Sequence, residues 1–345
     1  MLSSDEKFMF RCLQLAKKGL GHVAPNPMVG SVIVHKGIII GEGYHQQFGK
    51  AHAEVNAINS VLQKSLLASS VLYVNLEPCA HFGKTPPCTH LIKEKKIPKV
   101  VIGCLDSFRE VAGKGKQYLM DSGIDVIMGC LEDESRALNC RFFTFNEKKR
   151  PYIILKWAQT SDGYIAPSQL EKAWITNESS VRIVHKWRTE EQAVMVGTHT
   201  AQIDNPQLTA REWEGANPMR IVLDRTLKLP PQLKLFDSLA ATLVFNEVRD
   251  EKRKNIEFIK VNFNKHLLFD VLDNLYRKNI QSLIVEGGKE LLNSFIEMKL
   301  WDEARVFTGE KEFGNGLKAP VLDSGASEKE IINGDVLKVF HNNAR

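Results

Sequence analysis

His52-Ala53-Glu54, taken together with Pro78-Cys79 and Cys88, constrains this chain more than any other feature of it. One imidazole and two thiolates make three protein ligands for a zinc ion. They leave the fourth tetrahedral position to water, which is the pattern of a catalytic site. Zinc held in this way lowers the pKa of its water to about 7. Glu54 stands two residues from the imidazole and is the natural proton shuttle. Two residues of α-helix turn through roughly 200°, so His52 and Glu54 do not share a helix face. The pair is predicted where a loop runs into a helix supplied by Val55 to Leu62.

A His-x-Glu followed by Pro-Cys and a further Cys is similar to the signature of zinc-dependent base deaminases. Their usual Cys-x-x-Cys is opened here, with eight residues between Cys79 and Cys88. Glu77-Pro78-Cys79, then Thr85-Pro86-Pro87-Cys88, with an Asn26-Pro27 loop upstream, resembles the pyrimidine deaminase family of riboflavin biosynthesis. That family often carries a reductase domain on the same chain. The resemblance implies one zinc per chain on His52, Cys79 and Cys88, with Glu54 catalytic. It also implies a phosphorylated pyrimidine held by Asn26 and His45, with Lys84 meeting the phosphate. His81 and His90 flank the cysteines and are read as outside the ligand set. Val111-Ala112-Gly113-Lys114-Gly115 keeps the family's glycine turn, but Asp106 to Glu110 departs from the Asp-Pro-Asn-Pro that usually precedes it.

At 345 residues the prior is two domains. Glu147-Lys-Lys-Arg150-Pro151 is a charged stretch stopped by proline, and sets the expected division at 1–147 and 148–345. A net charge of +5 suits anionic small molecules and is too weak to argue for nucleic acid. All six cysteines lie in the first 140 residues; the four outside the zinc set show no framework spacing and read as reduced thiols. No apolar run reaches the roughly 18 residues of a membrane span, and the first residues lack the pattern of a signal peptide. A cytoplasmic enzyme, in a homo-oligomer, is the expectation.

In the first half, Ser3-x-x-Glu6 reads as a capping box opening a helix to about Gly19, with Phe8, Cys12, Leu15 and Ala16 as its apolar stripe. Val29–Val34 and Ile38–Gly43 read as a hairpin around Lys36-Gly37. Strands Val71–Leu76, Lys99–Gly103 and Ile124–Met128 alternate with helices Thr89–Lys96 and Gly115–Ser122, and one closing helix is predicted over Leu131–Phe145. Alternating helix and strand imply a mostly parallel sheet with helices on its faces. With the resemblance, this half is expected to be a cytidine-deaminase-like three-layer α/β/α domain.

The second half is similar to the reductase domain of the same family, a relative of dihydrofolate reductase with an α/β fold. The matching stretches are Leu155-Lys-x-Ala158, Ser161-Asp-Gly163, Trp174-Ile-Thr176, Arg188, Val196-Gly197 with Thr200, Asp204-Asn-Pro-x-Leu208-Thr-x-Arg211, Arg220-Ile-Val-Leu-Asp224-Arg225 and Val285-Glu286-Gly287-Gly288. They occur in family order. Glycines opening a helix let backbone N–H groups approach a pyrophosphate. The resemblance places NADPH against Ala158, Trp174, Thr200, Asp204, Arg225 and the run Gly288, Lys289, Glu290, Leu291, Leu292, Asn293, Ser294. It places the substrate against Lys172, Arg188, Leu208, Arg211 and Glu286; Lys172 stands where the family usually has Ser. Arg188 and Arg211 suit a phosphate, because a guanidinium fork binds it bidentately.

The expected function is therefore bifunctional. The first half deaminates 2,5-diamino-6-(5-phosphoribosylamino)pyrimidin-4(3H)-one, and the second reduces the ribosyl side chain of the product to ribityl. Two rivals are a single-function zinc deaminase of nucleosides or RNA bases with a degenerate second domain, and a non-catalytic zinc-binding protein. The first would want a basic, aromatic-bearing face; the second would have no use for Glu54.

Overall fold

The computed structural model of the chain describes residues 2–80, 86–108, 112–169, 173–323 and 325–342. The chain divides into two compact units, Met1–Lys149 and Arg150–Arg345. No helix among the described residues is long and apolar enough to cross a membrane.

The first unit is a five-stranded sheet between two helical layers. Its strands are β1 (Gly30–His35), β2 (Ile38–Tyr44), β3 (Val71–Leu76), β4 (Lys99–Cys104) and β5 (Asp125–Met128), in the order β2-β1-β3-β4-β5. The hairpin β1–β2 is antiparallel, whereas β3, β4 and β5 run parallel. Successive strand residues point to opposite faces, and the apolar sets divide accordingly. Val32, Val34, Tyr73 and Val101 pack under α1 (Ser4–Ala16) with Met9, Cys12 and Leu15. Ile33, Leu72, Val74, Val100 and Ile102 pack against α2 (Ala53–Ser60), α3 (Cys88–Glu94) and α4 (Lys114–Asp121) through Ala57, Ile58, Ile92 and Leu119. Both halves of the capping box form at Ser3 and Glu6. Phe8 is only partly buried and lies against Tyr73, so Met9 takes its place in the core.

The predicted closing helix is two helices, α5 (Glu132–Leu138) and α6 (Cys140–Lys148). The break falls at Asn139. Its carboxamide accepts from Met28 N–H at 2.8 Å and donates to Met28 C=O at 2.9 Å. A buried side chain recruited to pair a distant backbone unit satisfies groups that would otherwise be costly to bury, and the helix bends around it.

The second unit carries a ten-stranded sheet. Its strands are β6 (Tyr152–Gln159), β8 (Ala193–Val196), β9 (Met219–Leu223), β10 (Thr242–Asn246), β11 (Glu251–Lys252), β12 (Ile256–Lys260), β13 (Ser282–Glu286), β14 (Glu303–Thr308), β16 (Glu328–Ile332) and β17 (Asp335–His341); β7 (Tyr164–Pro167) pairs separately with β15 (Gly316–Lys318). The order is β11-β12-β10-β9-β8-β13-β6-β14-β17-β16. From β12 to β14 the strands are parallel, and both edges are antiparallel. The chain moves outward from β6 to β12, then returns to place β13 between β6 and β8. That reversal opens a crevice at the carboxyl ends of the strands, where ligands of such sheets bind. The connecting helices are α7 (Glu178–Glu190), α8 (Thr198–Asp204), α9 (Leu267–Arg277) and α10 (Lys289–Glu297). Arg220 on β9 is fully buried and bonds to Thr242, Asp237 and the carbonyls of Lys234 and Ala240, which fixes the loop between β9 and β10.

Candidate active sites

In the first unit, β3 runs straight into Glu77-Pro78-Cys79, and Cys88 opens α3. His52 is the extended residue that caps α2, so Glu54 falls in that helix's first turn, as the spacing predicted. His52 Nδ1 lies 3.5 Å from Cys79 Sγ and 3.4 Å from Cys88 Sγ. The edge between nitrogen and sulfur in a tetrahedral zinc site is about 3.6 Å for bonds of about 2.05 and 2.3 Å. His52, Cys79 and Cys88 are the one such cluster among the described residues. The donor set and its spacing fit zinc.

The electrostatics show how tightly these groups are coupled. Hydrogen bonding from Cys88, helped by His52, pulls the Cys79 thiol down to about 4. Cys88, facing that thiolate and buried, is pushed up. The hydrogen bond to Cys79 raises His52 to about 9. Glu54 is 3% exposed, and burial raises its carboxyl to about 7. A carboxyl poised near neutrality can both take and give a proton.

Asn26 and His45 are brought beside this set. Asn26 Nδ2 donates to His45 Nε2 at 3.1 Å, and His45 Nδ1 donates to Ala51 C=O at 3.0 Å. Burial lowers the His45 pKa, so its ring stays neutral with the proton on Nδ1. The His45 ring lies edge-on to His52 with centroids 5.6 Å apart. Lys84, like His81, lies outside the described residues.

Glu77, part of the Glu-Pro-Cys motif, also organises the loop beside the site. It is 4% exposed, and its carboxylate accepts from the N–H groups of Gly113 and Lys116 at 2.9 Å each and of Asp106 at 3.3 Å. Gly115 presses so close that a Cβ there would stand 2.1 Å from Pro78 O. The glycine turn thus abuts the strand end that bears Cys79.

In the second unit a cavity of about 1290 Å³ lies along the carboxyl ends of β6, β8, β9 and β13. Ligand pockets commonly measure about 300–1,000 Å³, so there is room for two molecules. Ala158, Trp174, Thr200, Asp204, the run Gly288 to Ser294, Arg188, Leu208, Arg211 and Glu286 all line it. Gly287 and Gly288 both take positive φ, 83° and 80°, which side chains resist. Their turn opens α10 toward the cavity.

Arg225 does not line the cavity; its Nε donates to Glu247 at 2.7 Å from an exposed position. The resemblance had placed it on the dinucleotide. Lys172 lies outside the described residues. Arg188 is buried, and forks onto Glu286 through Nε and Nη2 at 2.7 and 2.8 Å while Nη1 donates to Thr209 C=O. Burial alone would raise the Glu286 carboxyl, but Arg188 and Lys156 outweigh it and hold it at about 2. Lys156 and His185 line the same cavity and carried no assigned role in the sequence. Lys156 Nζ stands 3.7 Å from Glu286, and burial lowers its pKa. Its only sequence signal was its place in Leu155-Lys-x-Ala158.

Comparison with known proteins agrees across both units. The model of the cytidine and deoxycytidylate deaminase zinc-binding region matches residues 2–104, and that of the RibD C-terminal domain matches 151–339. The riboflavin biosynthesis protein RibD of Aquifex aeolicus is 41% identical over 95% of this chain and 93% of its own. A Thermotoga maritima diaminohydroxyphosphoribosylaminopyrimidine deaminase/5-amino-6-(5-phosphoribosylamino)uracil reductase of known structure is 39% identical, with a TM-score of 0.89 and 98% of each chain covered. RibD of Acinetobacter baumannii, 30% identical, superposes with the same TM-score over 98% of each chain. The first unit has the cytidine-deaminase-like fold, the second the dihydrofolate-reductase-like fold, and the chain belongs to the RibD family, the bifunctional deaminase–reductases of riboflavin biosynthesis.

Proposed function

We propose that residues 1–147 deaminate 2,5-diamino-6-(5-phosphoribosylamino)pyrimidin-4(3H)-one and that residues 148–345 reduce the resulting 5-amino-6-(5-phosphoribosylamino)uracil. The observation that carries this is the buried Glu54 beside His52, Cys79 and Cys88 in one unit, with Lys156 and Glu286 in a separate cavity in the other. In the first unit His52, Cys79 and Cys88 would hold zinc, which would supply a water of lowered pKa. Asn26 and His45 hold the ring, and Lys84 takes the phosphate. Glu54 accepts a proton from the attacking water and delivers protons to the ring nitrogen and the amine that leaves as ammonia.

In the second unit the cavity would hold NADPH, which would supply a hydride. The pyrophosphate is met by the amides that open α10, where the helix dipole favours anions. Ala158, Trp174, Thr200 and Asp204 complete the dinucleotide's walls, and Leu208 and Arg211 face the substrate, Arg211 at its phosphate. Lys156, paired with the Glu286 that Arg188 fixes, donates a proton to the ribose ring oxygen as the bond from that oxygen to C1′ breaks. That opening leaves an iminium between C1′ and the exocyclic nitrogen, and hydride addition at C1′ would give the neutral ribityl amine.

The exposed edge strand β16, with Ile331 70% exposed, supports a homo-oligomer. Six free cysteines support a cytoplasmic setting. The test is mass spectrometry of the products made from the diaminopyrimidine. Without NADPH the deaminated compound is expected alone; with NADPH, its ribityl derivative. No mass change under either condition would reject the assignment.

A further inference from the structure

The loop that carries Leu208 and Arg211 has little regular structure of its own. Asn205 and Leu208 take positive φ, 40° and 58°, although neither is glycine, and Leu208 is 2% exposed. Such a backbone persists only where its surroundings fix it. Two side chains of α7, one turn apart on the same face, do so. Arg188 Nη1 donates to Thr209 C=O at 3.0 Å. His185 Nδ1 accepts the N–H of Arg211, also at 3.0 Å. His185 is 2% exposed and lines the cavity. Since Nδ1 accepts, the ring is neutral and its proton sits on Nε2. A neutral ring is what this place demands, because burial and the neighbouring Arg188 and Arg211 lower its pKa to about 4.

We propose that His185 is a positioning residue for the reductase substrate: by holding the amide of Arg211 it sets where that guanidinium meets the substrate's phosphate. The proposal rests on the reading of Arg211 as a phosphate ligand. Arg211 is itself exposed at the cavity wall, so its own side chain is not fixed by packing. The bond to His185 is made to the very residue that carries the charge.

The experiment uses the full-length protein with NADPH and two substrates, 5-amino-6-(5-phosphoribosylamino)uracil and its dephosphorylated form. The carbonyl oxygen of Asn can stand where Nδ1 stands, whereas that of Gln reaches toward Nε2 and that position has no acceptor to replace. His185→Leu and His185→Gln are expected to raise KM for the phosphorylated substrate by up to about tenfold, the worth of one backbone hydrogen bond. KM for the dephosphorylated form should stay within about twofold, and His185→Asn should restore the phosphorylated KM to within about threefold of wild type. NADPH affinity, followed by fluorescence, should not change in any variant, which also reports that the cavity is folded. If His185→Leu does not fold, the Asn and Gln pair carries the comparison. Equal KM values for Asn and Gln, or equal effects on both substrates, would overturn the proposal. Arg211→Ala separates the two layers. If it fails to distinguish the substrates, the phosphate reading falls and this proposal with it. If it distinguishes them and His185→Gln does not, only the role of His185 falls.

Discussion

The two active sites are built in opposite ways. The zinc set of the first unit is local: His52 and Cys88 are 36 residues apart and each stands where a loop meets a helix, while Cys79 lies just past the end of β3. The site of the second unit is spread along the crest of a sheet. Its Arg188 and Glu286 are 98 residues apart and meet only because β13 returns between β6 and β8. The first site owes its chemistry to the identity of a few donor atoms. The second owes its chemistry to charges buried against one another, Arg188 and Lys156 around Glu286. A site of the first kind is lost by removing a ligand and leaves the fold standing. One of the second kind is tied to the stability of its own domain.

The largest effect should follow from Cys79→Ala. It removes one of three ligands, so bound zinc and deamination should both fall to background, while NADPH-dependent reduction of supplied intermediate continues. Elemental analysis and the two separate assays read this. Retained zinc with full deamination would break the comparison on its first side.

Glu286→Gln tests the other side. It leaves Arg188 and Lys156 buried without their counter-charge, and breaking a buried pair in this way costs about 3–5 kcal/mol. All five tryptophans, 157, 174, 187, 213 and 301, belong to the second unit, so their fluorescence follows its unfolding in the intact chain. The urea midpoint of that signal should drop sharply while deamination persists. An unmoved midpoint would mean that the charge cluster serves chemistry alone.

A smaller effect concerns pH. His185 has a folded pKa of about 4, below its ordinary 6.5. The unfolded chain therefore binds the extra proton first as pH falls. The contribution of His185 to stability is complete above pH 6.5 and is lost between 6.5 and 4, up to about 3 kcal/mol. His185→Asn does not titrate, so the stability of wild type relative to this variant should fall by that amount from pH 7 to pH 4. A difference independent of pH would contradict the neutral, buried ring.

Much of the first unit was legible because its signals are short-range. Ser3 and Glu6 form their box within one turn, and Lys36-Gly37 closes its hairpin where predicted. The His-x-Glu spacing alone required the loop-to-helix junction that His52 occupies. The break at Asn139 was not legible, because its cause is Met28, 111 residues away. In the second unit the motifs gave the residues that line the cavity but not their partners. Glu247 diverts Arg225 from it, and no pattern around Arg225 announces that pairing. Lys156 and His185 are single residues within an apolar strand and an amphipathic helix; only the tertiary fold turns them toward one cavity.

Two chemistries share this chain without sharing a residue. Glu54→Gln tests it most directly, because Gln keeps the size of the side chain and removes the proton shuttle without touching a zinc ligand. With the diaminopyrimidine substrate, deamination should fall by about 10²–10⁴-fold while zinc stays bound. With 5-amino-6-(5-phosphoribosylamino)uracil and NADPH supplied directly, the same protein should make the ribityl product at close to the wild-type rate. Loss of that second reaction in a folded, zinc-loaded variant would contradict the account.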